Sequence, residues 1–178
     1  MMKPTFRFLS VLLIIGLVLP AGALAEKEIK IGAIYPLTGG AAAAGRELRA
    51  GAELAAEIAN QVMADINMSM AKNSGIKSMG GAKITIIFKD HEANPTLGAD
   101  LAKKLILDDK VDGLMGCYHS SVTKTVSAVA EQHGIPMING TSTSPPLTQR
   151  GFKWFWRTTP HDLSLIHISE PTRLRLKS

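Results

Sequence analysis

The sequence predicts an α/β fold built on a doubly wound parallel sheet. Three observations support this prediction. Short apolar segments recur along the chain, segments with apolar residues at helical spacing separate them, and loops of small or polar residues follow them. Helical crossovers require parallel pairing of successive strands and favour right-handed connections. Because the carboxyl ends of such strands form a crevice, the loops that follow them are the candidate binding elements.

The first half of the chain predicts two strands and two helices. Residues 29–35 (IKIGAIY) and 83–89 (KITIIFK) are short and apolar, as strands buried on both faces should be. Between them, residues 46–71 place leucine, alanine and methionine at helical spacing and predict one long helix. A turn at residues 90–95 starts a second helix, which runs to about Asp108.

The second half predicts three further strands and one helix. The strands cover residues 111–116, 135–138 and 152–158, and a helix at residues 120–133 connects the first two of them. Residues 139–146 (NGTSTSPP) form a polar loop before the last strand. Strands and helices therefore alternate through most of the chain, as a doubly wound sheet requires.

The charge of the chain gives no support for a nucleic-acid partner. The full sequence has a net charge of +5, but residues 1–25 and 163–178 each contribute +2 of it. Residues 26–162 carry 15 Lys and Arg against 14 Asp and Glu, so no basic stripe remains to bind a phosphate backbone. Cys117 is the single cysteine of the sequence, which leaves it no partner for an intrachain disulfide.

The N-terminal segment predicts export. Lys3 and Arg7 form a basic start, residues 9–19 form an apolar run, and residues 23–25 (ALA) match the small-residue pattern that signal peptidase cleaves. A run of 11 residues is too short to span a bilayer, which argues against a membrane anchor. We therefore predict a signal peptide at residues 1–25 and a periplasmic location for the rest of the chain.

The last residues differ in character from the rest of the chain. Residues 163–173 (LSLIHISEPTR) resemble the in-frame translation of a transposase-type sequencing adapter, although LSLIHI would also suit a native strand. We predict that residues 163–178 are a non-native tail and that residues 26–162 are the native domain. On this interpretation the native chain continues beyond that domain.

Three loops that follow predicted strands carry the candidate binding residues. Residues 37–45 are rich in glycine and alanine, but their glycines do not form the G-x-G-x-x-G pattern of dinucleotide sites. Ser120 opens a helix, where its hydroxyl can act as N-cap and the first-turn N–H groups can bind a carboxylate. Thr141 and Thr143 lie in a run of hydroxyl residues, which can donate to a carboxylate and accept from an ammonium. Plain helix capping and a solvated loop are the alternatives.

The sequence offers no comparable signal for catalysis, a metal or a cofactor. It lacks the G-x-S-x-G motif that a secreted α/β hydrolase would need, and His119 beside Ser120 has no orienting acid. His91 lacks metal-ligand spacing and is interpreted as a turn residue. We predict that the remaining distinctive side chains pack in the interior of the domain; they are Cys117, Trp154 and Trp156.

Several segments along the chain resemble segments of the N-terminal lobe of type I periplasmic binding proteins and occur in the same order. The resemblance is strongest to the leucine/isoleucine/valine-binding group. The segments are IKIGAIYPLTGGAAAAGRELRAGAELAAEIAN, FKDHEANP, GLMGCYHSSVTKTVSAVAEQHGIPMINGTSTSPPLT and FWRTT, which cover most of residues 28–162. The resemblance implies the substrate-binding component of an ABC importer, with the second lobe absent. Such a protein captures an amino acid, branched-chain or otherwise neutral, or a related small polar solute between its lobes. Its partner is the permease in the inner membrane.

The resemblance also implies roles for the loop residues. The hydroxyls of Ser120 and Thr143 would hold the carboxylate of the solute, and the Thr141 carbonyl with the Thr143 hydroxyl would hold its ammonium. Two positions depart from the family pattern: Ala44 replaces a frequent aromatic residue, and His119 replaces a cysteine that is often in a disulfide. Urea, short amides and aromatic acids therefore stay open as solutes, and a membrane-tethered sensor of the same fold is a further alternative.

Overall fold

The computed structural model describes residues 27–164, which form a parallel sheet with helices packed against it. In chain order the elements are β1 Glu28–Tyr35, α1 Ala42–Asn60, β2 Lys83–Asp90, α2 Pro95–Leu107, β3 Gly113–Gly116, α3 Ser120–His133, β4 Met137–Asn139 and β5 Phe155–Arg157. The five strands lie in the order β2-β1-β3-β4-β5, and every neighbouring pair is parallel. The α/β fold class and the order of the elements are confirmed.

The two terminal predictions fall largely outside the described residues. The signal peptide at residues 1–25 and all but the first two residues of the tail at 163–178 are not among them. Within residues 27–164, no helix is long and apolar enough to cross a membrane.

The first helix is shorter than the sequence predicts. The apolar spacing predicted a helix to residue 71, but α1 ends at Asn60. The Asn60 side chain binds the neighbouring strand instead, where it donates to the Ile84 carbonyl at 2.8 Å and accepts from the Ile84 N–H at 2.7 Å. The following segment contains two short 3-10 turns, and its Met68 and Met70 side chains are exposed. Hydrogen bonding to β2 therefore outweighs the helical pattern.

Strands β3 and β4 begin later than predicted, because the residues just before each strand form hydrogen bonds with the end of the preceding helix. The Val111 N–H donates to the Leu105 carbonyl at the end of α2, so β3 begins two residues after the predicted start. The Ile135 N–H donates to the Ala130 carbonyl of α3, which likewise delays β4. Each of these residues completes the end of a helix before the chain enters the sheet.

The main core lies between the sheet and the pair α2 and α3. Its buried members come from both helices and from four strands: Ile34, Leu105, Leu114, Val122, Val126, Met137 and Phe155. The helices approach each other at Gly98, where an added Cβ would lie 2.5 Å from Cγ1 of Val122. The first turns of α2 and α3 are thereby fixed relative to the strand ends.

The opposite face of the sheet is covered only in part. The α1 helix packs over β1 and β2, where the Arg49 guanidinium lies 4.8 Å from the Phe88 ring centroid. Further along this face, Ile138 and Trp156 are register partners on β4 and β5, and they remain 52% and 49% exposed. Trp154, just before β5, is 41% exposed. The prediction that both tryptophans pack in the core is therefore wrong: no described element covers Trp156, and the Trp154 ring lies at the surface beside Gly134, at the end of α3.

Candidate ligand-binding site

The loops after β3 and β4 lie side by side at the carboxyl edge of the sheet. Their strands are paired in register, Leu114 with Met137, so both loops leave the sheet at the same level. The Thr141 hydroxyl donates to the Cys117 carbonyl at 3.4 Å, and the Ser142 hydroxyl lies 3.1 Å from the Tyr118 carbonyl. The structure thus brings together two of the three loops that the sequence predicted to carry binding residues.

A buried hydroxyl pair locks the two loops together. Oγ1 of Thr123, one turn into α3, lies 2.6 Å from Oγ of Ser142. The same Thr123 oxygen accepts from the Cys117 N–H at 3.2 Å and lies 3.1 Å from the His119 carbonyl. Both hydroxyl residues are buried, so these bonds replace all contact with water.

Asn139 shapes the loop after β4 from inside. Its Oδ1 accepts from the N–H groups of Thr141, at 3.2 Å, and Ser142, at 2.9 Å, and its Nδ2 donates to the Ser142 carbonyl at 2.8 Å. Sequence reasoning missed Thr123, Asn139 and Ser142 as supporting residues. An asparagine at the end of a strand before a turn is the one available signal, because its side chain commonly bonds to the backbone two residues on.

Ser120 is the first residue of α3 and does not occupy the N-cap position. The N-cap is His119, whose side chain makes no capping hydrogen bond, so the prediction of a Ser120 N-cap is wrong. The first backbone bond of the helix runs from the Thr123 N–H to the His119 carbonyl. The N–H groups of residues 120–122 precede it, and with the positive end of the helix dipole they favour an anion.

The predicted contact atoms are free of protein partners. Among residues 27–164, no side-chain hydrogen bond involves the hydroxyl of Ser120 or of Thr143. The Thr143 carbonyl accepts from the Asp162 N–H at 3.1 Å, whereas the Thr141 carbonyl receives none of the described backbone bonds. All three residues are half-buried. The loops are therefore held by buried groups, while these atoms remain available to a ligand.

A small cavity of about 190 Å³ adjoins the start of α3. It is lined by three serine hydroxyls, two cationic side chains and two apolar residues: Ser120, Ser121, Lys124, Ser144, Pro146, Leu147 and Arg150. None of these described lining residues is acidic, so the charge of the cavity favours an anionic group. Thr141 and Thr143 are not among its walls.

Arg150 serves mainly to tie the cavity wall together. Its guanidinium donates to the Leu147 and Lys124 carbonyls at 3.0–3.1 Å and to the Ser127 hydroxyl at 2.7 Å. The guanidinium also stacks 4.2 Å from the Phe152 ring centroid. Burial lowers the pKa of Arg150, and the carboxylate of Glu131 acts in the opposite direction.

The loop after β1 is held at the same edge by Asp90. This carboxylate accepts from the Leu37 N–H at 2.9 Å and from the Thr38 hydroxyl at 2.6 Å. Burial acts to raise the pKa of Asp90, but hydrogen bonds from Thr38, Glu92 and Leu37 outweigh it and hold the pKa below its ordinary value. Asp90 is thus a loop-supporting anion, present in its charged form near neutral pH.

The other chemically distinctive residues have structural surroundings. Cys117 is buried, and burial raises the pKa of its thiol to about 12, as expected for an unreactive interior cysteine. His91 lies in the turn after β2, as the sequence predicted, and its side chain is fully buried there. Within residues 27–164, no group of three His, Cys, Asp or Glu side chains is close enough to hold a metal ion.

Comparison with known proteins identifies relatives across the described domain. The family model for "Periplasmic binding protein" matches residues 28–166, which include all three loops. The Leu/Ile/Val-binding protein homolog 3 of Brucella melitensis is 34% identical over 138 residues, which are 78% of this chain and 33% of that protein. The Leu/Ile/Val-binding protein of Escherichia coli K12 is 34% identical over 140 residues, which are 79% and 34% of the two chains. The chain therefore spans about a third of the length of the curated relatives it matches.

Solved structures of similar fold come from transporter components. The branched-chain amino acid transporter substrate binding protein LivJ from Streptococcus pneumoniae, in complex with isoleucine, matches with a TM-score of 0.62 and 26% identity. The match covers 76% of this chain and 35% of LivJ. A solute binding protein of an ABC transporter from Rhodopseudomonas palustris BisB5, in complex with 3,4-dihydroxy benzoic acid, gives 0.61 and 25% identity over 75% and 32% of the two chains.

Proposed function

Because the chain belongs to the type I periplasmic binding protein family, we propose that it supplies one lobe of the substrate-binding component of an ABC importer. The solute is an amino acid, branched-chain or otherwise neutral, or a related small polar molecule. It binds between this lobe and a second one, and the closed protein docks on the permease in the inner membrane. Residues 1–25 direct the chain to the periplasm. The role is capture without catalysis, and it involves no cofactor and no nucleic acid.

The observation that carries this proposal is the locked pair of loops with free polar atoms at their tips. The Thr123–Ser142 bond and the Asn139 contacts fix the backbone, so ligand binding does not have to order these loops. We assign the carboxylate of the solute to the hydroxyls of Ser120 and Thr143 and to the first-turn N–H groups of α3. The ammonium is assigned to the Thr141 carbonyl and the Thr143 hydroxyl.

An aromatic acid is the second candidate solute. The neighbour from Rhodopseudomonas palustris binds 3,4-dihydroxy benzoic acid, and its structure matches this chain about as well as LivJ does. Small residues also follow the loop after β1, and Ala44 is one of them, in the first turn of α1. A small side chain there leaves room for a ring. The carboxylate would bind in the same place, so the two candidates differ in what fills the rest of the cleft.

The site assignment is tested by amide NMR on the chain titrated with isoleucine or with 3,4-dihydroxybenzoate. We expect shift changes concentrated at residues 120–122 and 141–143, and the preferred solute identifies the class. Ser120→Ala should reduce these changes at least about threefold, because it removes a charge-assisted hydrogen bond. Ser78→Ala is the matched control, since Ser78 is an exposed serine just before β2, at the opposite edge of the sheet. Changes that are scattered, or insensitive to Ser120→Ala, would count against the site.

A further inference from the structure

Two histidines make a buried contact beside the candidate site. His91, in the turn after β2, is fully buried. Its ring packs edge to face against that of His119, with centroids 5.4 Å apart and an interplanar angle of 85°. His119 is the N-cap residue of α3 and directly precedes Ser120. The contact therefore joins the turn after β2 to the start of the helix that opens the site.

Backbone hydrogen bonding fixes the proton of His91. The Ala93 N–H donates to Nδ1 of His91 at 3.0 Å, so this nitrogen carries no proton. In the neutral ring the proton is then on Nε2. That atom is buried, and among residues 27–164 it has no hydrogen-bond partner; the same is true of Nδ1 of His119. An edge-to-face arrangement partly compensates such an N–H when it meets the π face of a neighbouring ring.

We propose that the contact between His91 and His119 is a proton-sensitive latch that holds the turn after β2 against the start of α3. Protonating His91 places a second N–H on Nδ1, directly opposite the Ala93 N–H, and so breaks that hydrogen bond. It also buries a charge whose Nε2–H still has no acceptor. Protonating His119 as well sets two like charges in contact.

The surroundings offer little to offset these costs. Asp90, the last residue of β2, directly precedes His91, and its carboxylate is already engaged with the loop after β1. On α2 the uncharged residue Gly98 lies beside His91, since a Cβ added at Gly98 would be 3.8 Å from Cβ of His91. Besides the His91 ring, the His119 ring packs edge to face against the Tyr118 ring, and the centroids of His119 and Tyr118 are 5.2 Å apart. Glu92, the next residue of the turn, is exposed.

The direction of the pH dependence follows from these groups. Burial lowers the pKa of His91 and the His119 ring lowers it further, and together they outweigh a backbone hydrogen bond at His91 itself and the Asp90 carboxylate, which both act in the opposite direction. The unfolded chain, with a histidine pKa of about 6.5, therefore binds this proton more readily than the folded chain. The stabilising contribution is complete above about pH 6.5 and is lost as the pH falls from there toward the pKa of the folded state.

A metal ion shared by the two rings is a different proposal, and the tautomer argues against it. Coordination through Nε2 of His91 needs the ring proton on Nδ1, where it would oppose the Ala93 N–H. Zinc alone should therefore leave the midpoint of unfolding unchanged at pH 7.5. A zinc-dependent rise that disappears in His91→Gln would overturn the latch.

The test combines urea unfolding with histidine NMR on the chain. Between about pH 7.5 and pH 5, the folded-to-unfolded ratio should fall by up to about tenfold for each pH unit between the two pKa values of His91. His91→Gln and His119→Gln should flatten this dependence. His133→Gln is the matched control, because His133 is exposed at the end of α3, and it should leave the slope unchanged.

The NMR measurement keeps the proposal testable if a variant fails to fold. Ring nitrogen spectra of the unmodified chain at pH 7.5 should show His91 with its proton on Nε2, and its titration should be displaced below the ordinary histidine value of about 6.5. The proposal is overturned if neutral His91 carries its proton on Nδ1, or if His91 titrates with the ordinary histidine pKa of about 6.5. It is also overturned if folded His91→Gln retains the full pH slope.

Discussion

At the level of single residues, the candidate site depends on side chains that no ligand would touch. Thr123, Asn139 and Ser142 are buried and bond to one another's loops, whereas the predicted contacts Ser120 and Thr143 keep free hydroxyls. The sequence could predict the residues with free hydroxyls, because hydroxyl residues after a strand mark a polar loop. It could not predict the buried set, since which hydroxyl faces inward depends on how two distant loops meet.

The bond between Thr123 and Ser142 predicts a measurable energetic coupling. Thr123→Val keeps the shape of the side chain but leaves the buried Cys117 N–H without its acceptor and removes one of the two partners of the Ser142 hydroxyl, which retains the Tyr118 carbonyl. We expect a loss of about 1–3 kcal/mol in the free energy of unfolding, and a similar loss for Ser142→Ala. In a double-mutant cycle measured by urea unfolding, the two losses should be non-additive by at least about 0.5 kcal/mol. Additive losses would mean that the hydroxyls act independently, and exposed Thr96→Val is the control for the substitution itself.

At the level of secondary structure, the sequence predicted the interiors of the elements better than their ends. The α3 helix at residues 120–133 matches its predicted limits, because a small-residue start and a glycine stop enclose it. The α1 helix does not, because its end is set by the bonds of Asn60 to β2, a partner that lies 24 residues away in the chain. The spacing of apolar residues indicates which face of a segment is buried. It cannot predict a helix end that is set by a hydrogen bond to a distant part of the chain.

The position of α1 against the loop after β1 gives a prediction at this scale. At Gly45 an added Cβ would lie 1.9 Å from the Pro36 carbonyl oxygen, so the helix and the loop would have to separate. Gly45→Ala should destabilise the fold by about 1–3 kcal/mol. Gly51→Ala, in the same helix, is the matched control: nothing lies within 4 Å of its added Cβ, and it should stabilise by about 0.5–1 kcal/mol.

These two variants are distinguished by thermal unfolding followed by circular dichroism. The expected result is a lower midpoint for Gly45→Ala and a slightly higher one for Gly51→Ala. Equal midpoints for the two variants would show that the approach of α1 to Pro36 is not a constraint in solution.

At the level of the whole molecule, the sheet and its edge were predictable, but its uncovered face was not. The alternation of apolar strands with helical segments fixes a parallel sheet and the edge where the loops meet. The exposure of Ile138 and Trp156 depends on which elements cover the second face of the sheet. Among the described residues, α1 is the helix that packs on this face, and it covers β1 and β2. A parallel sheet normally has both faces covered, and relatives about three times as long have more chain available for this.

The arrangement of the whole molecule predicts a weak affinity of this chain for solute. The loops after β3 and β4 offer one wall of a cleft, so a solute bound to them keeps its other side in water. We expect a dissociation constant of about 1 mM or weaker for isoleucine or 3,4-dihydroxybenzoate, a binding free energy of about −4 kcal/mol. A form of the protein carrying the second lobe should bind its solute at least about a hundredfold more tightly, because burial in a closed cleft adds contacts without new ordering of these loops. Calorimetric titration of both forms makes the comparison, and micromolar binding by the single lobe would show that a second wall is not needed for capture.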